Sequence, residues 1–276
     1  MRGSAAFERY LGIDWSGARA GGKVYLAEVV AGPDSLRVER LERSSRHRVE
    51  AELAESTTGT TLAGLDFCFS FPASFVVDGR TDWSWTDLRG WAGSIAGPDG
   101  GADVARVLAA CPERSQFRLV PGDKAPPLRR QTESACTPLP ASVVHLLPYQ
   151  RQVCLGSIHG IAMLDRLIRD FGVAVWPFEA LDLREVATVL AEVYPAMWVA
   201  EGVTKSRPSH RLRQVRRWQS EAEGIDDRVV DLVLDSEDAF DALAVALALP
   251  NLTLDAPADD VVAREGWILG VPPAFT

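Results

Sequence analysis

An aspartate sits inside the most apolar stretch of this chain. Residues Thr61 to Phe71 form a nearly continuous hydrophobic run between Gly59 and Pro72, with Asp66 in its middle. A short apolar run bounded by turn formers reads as a strand covered on both faces, and such strands belong to α/β architectures. An ionised carboxylate there is heavily penalised unless something compensates it. Alternation puts Gly64, Asp66, Cys68 and Ser70 on one face, and Ala63, Leu65, Phe67 and Phe69 on the other. The small residues leave room around the acid. A structural pairing with arginine is the plain explanation; a functional pocket is the other.

The rest of the chain fits an α/β reading. Tyr10 to Asp14 reads as a strand ending at an acid, followed by a turn punctuated by Gly17, Gly21 and Gly22. Lys23 to Val30 and Ser35 to Leu41 read as two more strands, so the first three form an antiparallel meander. Arg48 to Glu55 reads as a short helix. Residues 72–150 are rich in Pro and Gly and lack sustained periodicity, apart from a helix at Ala102 to Ala110. They form a long insertion after the fourth strand, packed on the core through Trp83, Trp85 and Trp91. A helical stripe covers Ser157 to Asp170, strands follow at Val173 to Trp176 and within Ala187 to Tyr194, and a basic helix follows Thr204. A last helix of small apolar residues runs from Asp238 to Leu249. The expectation is one domain over residues 7–276: a mixed sheet, meander plus parallel strands, with helices on both faces.

Composition narrows the function classes. Of 276 residues, 47% are hydrophobic and 24% charged, as in ordinary globular domains. No apolar run reaches the ~18–20 residues that span a bilayer. The opening Met-Arg-Gly-Ser-Ala-Ala-Phe lacks a signal peptide's apolar stretch, so a cytoplasmic protein with no membrane partner is expected. Cys68, Cys111, Cys136 and Cys154 are scattered, as are His47, His145, His159 and His210; buried free thiols are expected and a zinc site is not. The net charge of −9 disfavours general attraction to nucleic acid. Two basic stretches run against it, one holding Lys205, Arg207, His210, Arg211, Arg213, Arg216 and Arg217, the other Arg114, Arg118, Lys124, Arg129 and Arg130. Each is a solvated face or a local phosphate-binding surface.

Further acids occupy costly positions. Asp14 ends an apolar strand, and Glu192 lies in the apolar segment Val189 to Pro195. In the last helix, Ser236 is placed to cap the N-terminus, with Glu237 and Asp238 in the first turn where the dipole favours negative charge. Capping does not explain Asp241, which lies deeper on the face carrying Asp238, Ala244, Val245 and Ala248. A divalent ion shared with Asp14 and Asp66 does. These three acids make a hard-oxygen set suited to Mg²⁺ or Mn²⁺, and Glu192 is a further acid expected to join the site, whereas capping by itself accounts for Asp238. Paired ions sit ~3.5–4 Å apart, so the carboxylates must converge within about 8 Å.

Read together, the motifs resemble a family of predicted ribonuclease H-like nucleases, the domain of unknown function numbered 429. The resemblance rests on Gly12-Ile13-Asp14-Trp15-Ser16-Gly17, Gly64 to Pro72, Gly156-Ser157-Ile158-His159-Gly160, Trp176-Pro177-Phe178, Glu192-Val193-Tyr194-Pro195, Lys205-Ser206, Ser236 to Ala242 and Glu265-Gly266-Trp267-Ile268. These run in order across nearly the whole chain. The resemblance implies a ribonuclease H-like fold, with catalytic acids Asp14 on the first strand, Asp66 on the fourth, and Asp238 and Asp241 on the last helix. It makes Lys205 a holder of the scissile phosphate and marks Arg130 and Glu133 as an insertion motif. Lys205, Arg130 and Ser16 are thus the expected substrate contacts, and nucleic acid or a nucleotide the expected substrate.

Fold alone does not fix activity. An actin-like nucleotide-binding protein would use Asp14-Trp15-Ser16-Gly17 as a phosphate hairpin. It also requires a second phosphate loop after the fourth strand, where Asp66 is instead followed by Phe67 and Cys68. A non-catalytic binding or regulatory module is the remaining alternative, expected if the acids stand apart.

Overall fold

A computed structural model describes residues 7–15, 24–32, 35–55, 60–96, 103–111, 113–120, 128–146, 153–179 and 186–273. One seven-stranded mixed sheet runs through it, in the order β5-β6-β4-β1-β2-β3-β7. Strands β1 (Arg9–Asp14), β2 (Val24–Ala31) and β3 (Leu36–Ser44) form the expected antiparallel meander. On the other side of β1, β4 (Thr61–Leu65), β6 (Thr188–Glu192) and β5 (Ala174–Trp176) run parallel to it in turn. A two-residue strand β7 (Ala222–Glu223) pairs parallel with β3 at the far edge. The acids at the ends of β1 and β4 therefore emerge side by side.

Alternation along the strands sends apolar residues into two separate cores. Leu11, Ile13, Ala63 and Leu65 face one core with α1 (Arg46–Ala54), α2 (Trp85–Ala96) and α5 (Val153–Phe171). Tyr10, Tyr25 and Leu62 face the other, with α8 (Glu237–Ala248) and its neighbours α6 (Pro208–Trp218) and α7 (Asp227–Asp235). Shorter helices are α3 (Val104–Ala110), α4 (Gln131–Ala135) and α9 (Val262–Glu265). Helices thus cover both faces, as expected.

Two glycines set how closely α8 lies on the sheet. A Cβ on Gly12 would overlap the carbonyl of Ala242 and the amide nitrogen of Ala246. One on Gly64 would come within 2.9 Å of Val245 and 2.8 Å of Val193. Gly12 and Gly64 are partners across the β1–β4 ladder. They form a shallow floor: the helix backbone rests on Gly12 and side chains of Val245 and Leu249 on Gly64, a close approach that glycine permits.

The fourth strand is shorter than its hydrophobic run. It ends at Leu65; the Asp66 amide still donates to the Ile13 carbonyl of β1 at 3.0 Å, and residues 67–71 leave the ladder. Side chains then bind several of their backbone groups. Cys68 N–H donates to Ser157 Oγ at 3.2 Å, Phe69 N–H donates to Glu192 Oε2 at 2.9 Å, and Phe69 C=O accepts from Trp85 Nε1 at 3.0 Å. Phe67, Phe69 and Phe71 remain buried, so the segment stays apolar without being a strand. Within its described residues the insertion carries regular structure. It contains α2, and Trp83, Trp85 and Trp91 are buried in the core. All four cysteines are buried and free. Among the described residues, no helix is long and apolar enough to cross a membrane.

Candidate functional site

The glycine floor places α8 so that Asp241 lies over the ends of β1 and β4. Ser236 caps the helix by accepting from Ala239 N–H at 3.3 Å, which fixes the first turn and the Asp238 and Asp241 side of it. Carboxylate oxygens of Asp14, Asp66 and Asp241 lie within 4.8 Å of one another. Three chain segments separated by up to 227 positions (241 − 14) thus converge, well inside the 8 Å limit for a shared ion.

The electrostatics of this cluster are unfavourable without a cation. Asp241 is 2% exposed. Its Oδ2 accepts from Lys205 Nζ, while its Oδ1 is buried with no hydrogen-bond partner. Neither Asp14 nor Asp66 has an ion-pair partner among the described residues. Burial, then Asp66, Asp238 and Asp241, push the Asp14 carboxyl well above the carboxylate range. Burial, with Asp241 next, pushes Asp66 up to about 8 although Lys205 opposes it. Burial also raises Asp241 despite its ion pair. Burial alone pulls Lys205 down, but Asp241, Asp66 and Asp14 outweigh that and carry it to about 12.

The donor set fits a divalent ion. The three carboxylates offer hard oxygens, one ammonium offsets only part of their charge, and an orphaned oxygen is available. An acid cluster of this kind lowers its own free energy by binding a cation or by keeping protons.

Lys205 is presented by a braced loop. The Arg211 guanidinium, buried at the α6–α7 junction, donates to the carbonyls of Lys205, Leu234 and Val233, the last at 2.7 Å. The last two lie in the final turn of α7, whose carbonyls have no intrahelical partner. Arg207, Arg213, Arg216 and Arg217 of the same basic segment are exposed, Arg217 in an ion pair with Glu221. The expected basic stretch therefore divides into one structural arginine and a charged outer face.

Glu192 and Arg130 are paired with each other rather than joined to the aspartate cluster. Arg130 is completely buried and grips Glu192 with both terminal nitrogens, at 2.7 and 2.5 Å. It also donates to Glu133 Oε1 at 3.1 Å and to the Glu265 carbonyl at 3.1 Å. Glu192 is thus occupied by Arg130 and by the Phe69 amide, and it is not brought in as a fourth ligand. Arg130, expected to reach substrate, instead has its charge spent on burial of two glutamates. A guanidinium so committed braces the site rather than gripping a phosphate. Ser16 lies outside the described residues, as does Lys124 of the second basic stretch.

A cavity of about 260 Å³ opens beside the cluster, with Trp15, Asp66, Phe67, Arg130, Glu192 and Tyr194 in its wall. Cys68 also faces it. Burial holds the Cys68 thiol well above its ordinary range, so it is not a thiolate nucleophile. The cavity joins residues just after β1 and β4, the end of β6 and the insertion, a convergence with no local sequence signal. Comparison with protein-family models, with curated proteins and with solved structures finds no match to this chain.

Proposed function

We propose that this chain is a divalent-metal-dependent phosphodiesterase of ribonuclease H-like fold, a nuclease acting on nucleic acid or a nucleotide. The observation that carries the reading is the convergence of three carboxylates within 4.8 Å, one with a buried orphan oxygen. The meander followed by parallel strands, with acids at the ends of neighbouring β1 and β4 and on the helix across them, supports the fold assignment. It accords with the resemblance seen in the sequence.

Asp14, Asp66 and Asp241 would hold Mg²⁺ or Mn²⁺, which supplies an activated water and Lewis acidity toward a phosphodiester. The chain's own residues do the rest. The glycine floor and the Ser236 cap keep the three carboxylates converged without induced movement. Asp238, one turn before Asp241, adds negative field that strengthens cation binding. Lys205, half-exposed and already at the cluster, neutralises a phosphate oxygen once the carboxylate is shared with metal. The outer arginines of α6 add local positive charge to an acidic surface.

The test is cleavage of labelled single-stranded and duplex oligonucleotides with Mn²⁺, Mg²⁺ or chelator. Metal-dependent cleavage is expected, falling by more than about a hundredfold in Asp14→Asn and Asp241→Asn. Full activity in either variant would sink the assignment.

A further inference from the structure

The cavity beside Asp66 has no part in the metal reading, yet it shares a wall with the metal cluster. We propose that it receives a single unstacked nucleobase, so that the substrate is a single strand or a mononucleotide unit rather than an intact duplex. The proposal rests on the phosphodiesterase reading only for where the phosphate goes.

Size is the first argument. About 260 Å³ accommodates one ring system and its sugar edge but no base pair. Pro140 and Ala141 of the insertion form part of the wall, so the enclosure is built by a segment outside the sheet. The second argument is the lining. Trp15, Phe67 and Tyr194 offer aromatic surface, the kind on which unstacked bases settle whatever their identity. The Trp15 ring is held in place, its Nε1 donating to the Gly156 carbonyl at 3.1 Å and its centroid 5.4 Å from that of Phe67.

The wall also carries polar groups. The hydrogen bonds of Arg130 engage four of its five N–H groups, and Glu192 Oε1 accepts only from Arg130 among the described residues. Arg130 and Glu192, both buried and bound to each other, form a fixed polar back wall rather than free contacts for a base. The Tyr194 hydroxyl makes no hydrogen bond among the described residues. Asp66 belongs to both the cavity and the acid cluster, so a base in the cavity leaves its phosphate beside the carboxylates and Lys205.

The experiment compares binding of the four nucleoside 5′-monophosphates with ribose 5-phosphate by calorimetry, with Mn²⁺ titrated separately. Wild-type protein should bind the nucleotides at least tenfold more tightly than the base-less sugar phosphate. Ala141 is exposed, so Ala141→Trp plugs the mouth at little risk to folding. It should reduce the nucleotides to the level of ribose 5-phosphate while leaving Mn²⁺ affinity unchanged. Tyr194→Ala should weaken every nucleotide and leave ribose 5-phosphate unaltered. Equal affinity for nucleotide and sugar phosphate, absence of nucleotide binding, or undiminished nucleotide binding in Ala141→Trp would overturn the proposal. Failure of Mn²⁺ binding with base discrimination intact would remove the metal reading and leave the base pocket standing.

Discussion

Desolvation, with Asp241 next to it, pushes the Asp66 carboxyl up to about 8 in the folded protein. In an unfolded chain it ionises near pH 4. Between those values the native state binds the extra proton, so stability falls as pH rises through the window and the loss is complete above pH 8. Asp14 and Asp241 are raised in the same sense. Asp66→Asn is therefore expected to raise the Tm of metal-free protein at pH 8 and to change it little near pH 4. Metal reverses the sign. Mn²⁺ at a hundredfold excess over its Kd should stabilise wild type by about 2.7 kcal/mol, roughly 5–10 °C in Tm. With the Mn²⁺ concentration held fixed, the gain should be larger at pH 8 than at pH 6, where protons compete for the same oxygens and raise the apparent Kd, and it should be absent in Asp66→Asn and Asp241→Asn. Scanning calorimetry at the two pH values checks all of this; an equal Mn²⁺ shift in the Asn variants would refute it. The aspartates were legible in the sequence because an acid in an apolar segment has a cost that must be met somewhere. The partner of Glu192 was not. Arg130 lies 62 positions away, and no local pattern joins an arginine in the insertion to an acid on β6.

At the scale of elements, the site depends on how closely α8 lies on β1 and β4. A methyl group on Gly12 meets backbone atoms of Ala242 and Ala246, which cannot rotate away. Gly12→Ala is expected to cost about 3 kcal/mol, the upper range for overpacking. It should also weaken Mn²⁺ binding by lifting Asp241 from the strand ends. Ser236→Ala removes only the cap, at about 1 kcal/mol, and should disturb metal affinity less. Urea denaturation with Mn²⁺ calorimetry separates the two; metal binding unaffected in Gly12→Ala would show that the helix position is not critical. The meander strands and α5 were legible from their apolar patterning, and α8 from an unbroken run of small apolar residues behind a Ser cap. The end of β4 was not, since Phe67, Phe69 and Phe71 prolong the apolar run while side chains of Ser157, Glu192 and Trp85 take over the backbone bonds. Helix α2 was obscured by Gly90 and Gly93, although Trp85, Leu88, Ala92 and Ile95 fall on its buried side. Glycine lowers helix propensity, and packing of that apolar side against α5 overrides it.

Across the whole molecule, the insertion and the C-terminal segment are held to the sheet by one buried polar knot. Glu265 accepts from the amides of Ala73 and Gln131, at 2.6 and 2.7 Å, and Ile268 N–H donates to Thr132 Oγ1 at 2.8 Å. Trp85 stacks flat on Phe178 at 3.8 Å, closing α2 over the turn after β5. Arg130 is the centre of the knot, since among the described residues it alone forms ion pairs with buried Glu133 and Glu192. Arg130→Met keeps the volume and removes that charge, leaving two carboxylates without a counter-ion. A loss of about 3–5 kcal/mol is expected, as for breaking a buried pair from one side. Much of that loss is the cost of the stranded glutamates rather than the worth of the ion pair. Removing them as well, in Arg130→Met with Glu133→Gln and Glu192→Gln, should therefore recover a substantial part of it. Limited proteolysis should show cleavage within residues 72–150 in the single variant and less in the triple one. The cavity wall is built on the same knot, so nucleotide affinity should fall in both variants while Mn²⁺ affinity, which belongs to the aspartates, falls less. A triple variant no more stable than Arg130→Met would mean that the arginine stabilises the insertion through packing, and that the buried charges are not what joins it to the sheet.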